Sequence, residues 1–167
     1  RANQPRCGSH RRRAHHPDGE RRATQRDDPV PAHAPPLGGS PVFFVDSSAT
    51  GSNDGTTWTN AFTSLQYILP VAPAGSEIRV AGGNYKPDSN TNDRTVSFQL
   101  RSGITVNGGY AGWLQPNPEL RDPAFYISTL NGDIGAPGAS SDNSHHVVAA
   151  IGVDSSAVLD GFTIRGG

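Results

Sequence analysis

Four carboxylates in the second half of the chain, Asp122, Asp133, Asp154 and Asp160, are of the residue type that glycoside chemistry needs. Two carboxyl groups about 5–9.5 Å apart can hydrolyse a glycosidic bond, one as acid and the other as base or nucleophile. A polysaccharide lyase would instead combine calcium-binding acids with a basic residue that abstracts a proton. Arg121, Asp122 and Arg165 supply those types, but no motif fixes them in space, and acids on turns otherwise cap or stay solvated. His145-His146 suggests a metal. Neighbouring side chains on a strand point to opposite faces, however, and no Cys or third His lies nearby to complete a zinc set. Asp46, Asn53 and Asp54 offer oxygens to calcium at a spacing unlike the twelve-residue calcium loop, with Asx turns as the competing role. The residues therefore assign no catalytic group and no metal site, and calcium is the one cofactor they could take.

Three segments share a pattern that positions polar side chains. Val106-Asn107-Gly108, Leu130-Asn131-Gly132 and Leu159-Asp160-Gly161 each set an apolar residue before Asn-Gly or Asp-Gly. Asn131 follows Asn107 by 24 residues, and Asp160 follows Asn131 by 29. A near-constant period with a turn residue that tolerates positive φ predicts stacked β-coils. Asn107, Asn131 and Asp160 would then form a turn ladder at about 4.8 Å spacing, or a row of ligands for sugar or calcium. The same pairs could instead close type I′ hairpins in a sandwich.

Val42-Phe43-Phe44-Val45-Asp46 reads as a strand by its β-branched and aromatic content. Trp58, Phe62, Leu65 and Ile68/Leu69 fall on one helical stripe, so a short amphipathic helix is expected over 60–69, stopped by Pro70 and Pro73. Its aromatics suit the core or, alternatively, a sugar platform. Further strands are expected at 77–81, 95–100, 103–107, 126–130, 145–150, 156–159 and 162–165. The Ala111–Pro123 loop, rich in Pro, should project from the body and present Trp113, with Tyr110 nearby, to a carbohydrate.

Residues 1–40 hold eight Arg and four acids, a net of +4, whereas 41–167 hold six basic residues and eleven acids, a net of −5. The first segment has almost no large apolar residues, so it cannot offset its ordering entropy and is expected to be a disordered tail. Without aromatics between the arginines, it lacks the stacking that nucleic-acid binding uses. The chain divides accordingly into 1–40 and a β domain over 41–167. Lone Cys7 permits no intrachain disulfide. No run approaches the ~18 apolar residues of a membrane span. With no Met and Arg1 first, the chain reads as a fragment, a processed form or a mis-called reading frame.

The opening Val42–Asp46, then Asn53-Asp54-Gly55-Thr56-Thr57-Trp58 and Ala61-Phe62-Thr63-Ser64-Leu65-Gln66, resembles that of bacterial right-handed parallel β-helix repeat proteins. The blocks 74–87, Gly108-Gly109-Tyr110-Ala111-Gly112, Leu130-Asn131-Gly132-Asp133-Ile134 and 159–167 continue the likeness in order over about 42–167. These proteins have a pectin-lyase-like fold and are similar to chlamydial polymorphic outer-membrane proteins. The resemblance implies an all-β, right-handed parallel β-helix whose helix near 60–69 caps the N-terminal end. It also implies an exported or cell-surface location and non-catalytic contact with a polysaccharide or host-surface ligand. The alternative is the start of a polysaccharide lyase or glycoside hydrolase whose catalytic coils lie elsewhere.

Overall fold

The computed structural model describes residues 39–167, so positions 1–38 of the expected basic tail lie outside the described residues. Nine short strands carry the fold: β1 (Val42–Val45), β2 (Glu77–Ala81), β3 (Gly83–Tyr85), β4 (Phe98–Gln99), β5 (Thr105–Tyr110), β6 (Ser128–Asn131), β7 (Val148–Ala149), β8 (Val158–Asp160) and β9 (Phe162–Arg165). They form three sheets, ordered β1-β2-β5-β8, β3-β6-β9 and β4-β7, and every strand pair is parallel. None of the sheets closes on itself. The described residues are all-β with almost no helix.

Alternation sets the faces. In β2, Ile78 and Val80 are buried while Glu77 and Arg79 face outward. The register stacks Phe43, Ile78, Val106 and Leu159 into one apolar column and Phe44, Arg79, Asn107 and Asp160 into the next. In the second sheet Tyr85 lies beside Leu130, and both are buried. Phe98, the largest fully buried side chain, reaches the same core from the third sheet.

The register also corrects the period. Thr105 pairs with Val158, 53 positions on, and Glu77 pairs with Thr105, 28 positions on. Asn131 pairs with Arg165 in a different sheet, so the spacings of 24 and 29 are two parts of one circuit rather than two repeats. Asn107 and Asp160 are in register, and Asn131 stands one sheet away from them.

The helix expected over 60–69 shrinks to one 3₁₀ turn, Leu65–Tyr67, with Ser64 Oγ accepting from Gln66 N. The reason is backbone pairing upstream. Phe62 forms a parallel bridge with Val45, its N–H donating to Phe44 O at 2.9 Å and its carbonyl accepting from Asp46 N at 2.9 Å. Phe62 is thereby held against the free edge of β1, with Asn60 in a turn before it and Thr63 in a bend after it, so no helix can form there. Leu65, Ile68, Leu69 and Ala72 still cover this end of the core and are all buried.

A bulge bends β5. Arg79 pairs with Asn107 and Ala81 with Tyr110, so Val80 faces both Gly108 and Gly109. The Ser128 hydroxyl, fully buried, accepts from Gly109 N at 2.9 Å and donates to Ala81 O at 2.8 Å, which satisfies the interrupted ladder.

Candidate functional site

The outward face of the first sheet carries a polar cluster. Arg79 grips Glu77 with two nitrogens, each at 3.0 Å, and reaches Glu119 at 2.7 Å. Asn107 Nδ2 donates to Glu77 Oε1 at 3.1 Å, and the Tyr110 hydroxyl donates to the same oxygen at 3.4 Å. Trp58 Nε1 donates to Glu119 Oε1 at 2.9 Å. Arg121 pairs with Asp160 and donates to Gly108 O. Both Arg79 and Arg121 lie over the Tyr110 ring, 5.7 and 5.8 Å from its centroid.

These contacts set the electrostatics. The double hydrogen bond from Arg79 holds the Glu77 carboxyl below its ordinary value of 4.5, and the same pair raises Arg79. Burial, aided by Glu77, pushes the Tyr110 phenol up. A carboxyl depressed in the folded state stabilises above its unfolded value, and that contribution is lost as pH falls through the folded value. Stability should therefore drop as acid is added below about pH 4.5, and Arg79→Met should flatten that drop while costing about 1 kcal/mol at neutral pH. Urea denaturation at pH 7 and pH 3 measures both; equal acid losses in the two proteins would refute the role given to Arg79.

Tyr110 is 7% exposed and packs with Trp58, which corrects the expectation that its ring lies open to a ligand. Its place at the end of β5, beneath Trp58 and Phe44, buries it. Trp113 is half-buried, with its indole N–H donating to Ser48 O at 2.8 Å. The 111–127 connection, whose Ala111–Pro123 part is expected to project, is fastened to the body instead. Buried Asp46 accepts from Trp113 N at 2.9 Å, Glu119 and Arg121 make the bonds above, and Tyr110 bridges Arg121 antiparallel. What the connection exposes is Leu114, Leu120, Phe125 and Ile127, four of the nine exposed large apolar side chains among the described residues. Phe125 is 75% exposed and meets Tyr126 edge-on at 4.8 Å. Sequence reasoning passed over Phe125; its only signal is an aromatic between Ala124 and Tyr126 in an otherwise Pro-rich stretch.

The four acids considered for glycoside chemistry have separate roles. Asp122 accepts from Ala124 N, Asp133 from Gly138 N, Asp154 from Ser156, and Asp160 from Arg121. No hydrogen bond joins any two of them. Asp154 and Asp54 are held low by hydroxyl donors, Ser156 for the first and Ser52 with Thr56 for the second. Asn53 Oδ1 accepts from Thr63 N at 2.8 Å, Asp46 from Ser48 N and Trp113 N, and Asp54 from Thr56 N, so these oxygens are already engaged by backbone donors. His145 and His146 are exposed and precede β7 rather than lying in it. Among the described residues, no three or more His, Cys, Asp and Glu side chains gather to hold a metal, and no helix is long and apolar enough to cross a membrane. The chain matches no family model, no curated protein and no solved structure.

Proposed function

We propose that residues 41–167 are the first turns of a right-handed parallel β-helix at the cell surface or outside the cell. Their role is to contact a polysaccharide or a host-surface ligand without catalysis. The observation that carries the reading is the register: each sheet takes its strands in parallel, one per circuit of the chain. Parallel crossovers within one sheet are right-handed in nearly all cases, which supplies the hand. The 3₁₀ turn and Phe62 covering the β1 edge suit a terminal cap.

The contact role rests on the fastened 111–127 connection and its exposed apolar side chains. Concentrated apolar exposure on a pinned segment suits recognition, because little ordering is lost on binding. The non-catalytic reading is supported by the acids themselves: Asp122, Asp133, Asp154 and Asp160 each accept from a separate donor, and no hydrogen bond joins any two of them.

Affinity electrophoresis of the whole chain through gels containing pectin, other acidic glycans or neutral glycans tests this function. Retardation by at least one polysaccharide, weakened about tenfold by Phe125→Ala, is expected. No release of unsaturated product should accompany it. Steady production of such product would convert the reading to a lyase; no retardation in any gel would remove the carbohydrate.

A further inference from the structure

A cleft of about 200 Å³ opens beside the covered end of the core, between the 3₁₀ turn and the connection that follows β3. Its lining includes Gln66, Tyr67, Lys86, Asp88, Ser89 and Asn90. Tyr67 is 55% exposed although Leu65 and Ile68 on either side of it are buried. Its ring meets Phe62 at a centroid distance of 6.5 Å and is otherwise open to the cleft side. Lys86, the one lysine of the chain, is half-buried in the other wall. Among the described residues, no hydrogen bond or ion pair engages its ammonium.

The walls are fixed before anything binds. Gln66 Nε2 donates to Pro87 O at 2.9 Å and to Ser97 O at 3.0 Å, which ties the turn to the connection. Pro87 is buried. The Asp88 carboxylate gathers the backbone beyond it, accepting from Thr91 N at 3.0 Å and Asp93 N at 3.1 Å. Little ordering is left to lose when a ligand enters. Gln66 gives both amide protons away and keeps Oε1 as an acceptor, while Lys86 Nζ and Asn90 Nδ2 are donors.

The lining selects its ligand by charge and shape. Lys86 and Asp88 cancel, so an anion gains at one and loses at the other, and a cation fares the same in reverse. Hydroxyl groups, each donor and acceptor at once, suit a neutral mixture of both. An exposed aromatic beside such groups offers an apolar surface to the C–H face of a sugar ring. The volume is below the ~300–1,000 Å³ of drug-sized pockets and suits one ring of a longer chain. We propose that this cleft is a subsite for one pyranose ring of a neutral polysaccharide, stacked on Tyr67 with hydroxyls on Lys86 Nζ and Gln66 Oε1. The assignment rests on the contact function proposed above and narrows it to uncharged glycans.

Calorimetric titration of the whole chain with soluble hexasaccharides tests the subsite, with cellohexaose and mannohexaose as neutral probes and hexagalacturonate as the acidic one. A neutral probe should bind, and hexagalacturonate at least about tenfold more weakly. The neutral ligand carries no charge to screen, so raising salt from about 0.05 to about 0.5 M should leave its affinity unchanged. Tyr67→Ala should weaken binding at least about tenfold, and Tyr67→Phe, which keeps the ring, less than about threefold. Lys86→Met should cost about fivefold through one lost hydrogen bond. Should Tyr67→Ala melt early, the Lys86→Met loss and the preference for neutral probes still decide. Neutral binding that survives Tyr67→Ala in a folded protein overturns the subsite, and so does hexagalacturonate binding as tightly as the neutral probes, or no neutral binding at all. Retardation in glycan gels that Phe125→Ala weakens and Tyr67→Ala does not would leave the contact function standing while this inference falls.

Discussion

Phe98→Ala should lower stability by about 3–5 kcal/mol, a large share of the 5–15 kcal/mol that typically holds a domain. Phe98 is 0% exposed and sits in β4, a strand of two residues. Its N–H donates to Val147 O at 2.8 Å, and Leu100 N donates to Ala149 O at 2.8 Å, so the backbone holds the ring where it is. Gln66 Nε2 also donates to Ser97 O at 3.0 Å and Pro87 O at 2.9 Å, fixing the strand to the covered end. With its neighbours anchored, the core cannot collapse into the space left behind, which puts the cost at the high end. The urea midpoint should fall with an unchanged slope, while Phe98→Leu should cost under about 1.5 kcal/mol. A loss below about 1 kcal/mol for the alanine variant would mean that the third sheet contributes little to the core.

Gly109→Ala should be nearly as damaging for a different reason. Gly109 has φ +86°, and an added Cβ would lie 2.6 Å from Pro123 Cα and 2.8 Å from Pro123 N. Those are backbone atoms, so no rotamer relieves the overlap. Left-handed strain alone costs about 1–2 kcal/mol, and the clash brings the total to about 3 kcal/mol or more. Gly152→Ala is the matched control: φ is +69° with nothing within 4 Å, so only the strain remains. Thermal melting of the two variants separates the terms. If both lose the same amount, the close approach of Pro123 to the bulge is not a constraint. Because Asp122 N donates to Gly109 O at 2.7 Å, the damaged variant should also loosen the connection that presents Phe125.

The strands were legible where burial is local in sequence. Ile78 and Val80 alternate with Glu77 and Arg79, and that pattern is a one-sided strand in any context. β3 was missed because Gly83-Asn84-Tyr85 has turn composition; it is a strand only because β6, more than 40 positions on, pairs with it. The helical stripe misled because its members divide. Trp58 joins Phe44 and Tyr110 outside, while Phe62 follows Val45 and Leu65 enters the core. Tyr110 and Trp113 were visible as aromatics, but their burial depends on Trp58, Asp46 and Ser48, more than 50 positions away. The cleft beside Tyr67 left no mark in the sequence, since its two walls meet only where Gln66 bonds Pro87, 21 positions on.

Circuits of 35, 28 and 53 residues all deliver a strand to the same sheet in parallel, with a single bulge where β5 meets β2. The extra length of the last circuit is absorbed at its corners, chiefly in 111–127 and 132–147, without displacing any rung. Corner segments of this scaffold are therefore exchangeable cassettes. A foreign peptide spliced at the exposed stretch between Pro116 and Asn117 would be displayed without disturbing the stacking beneath it, and recognition could diversify while the frame stays constant.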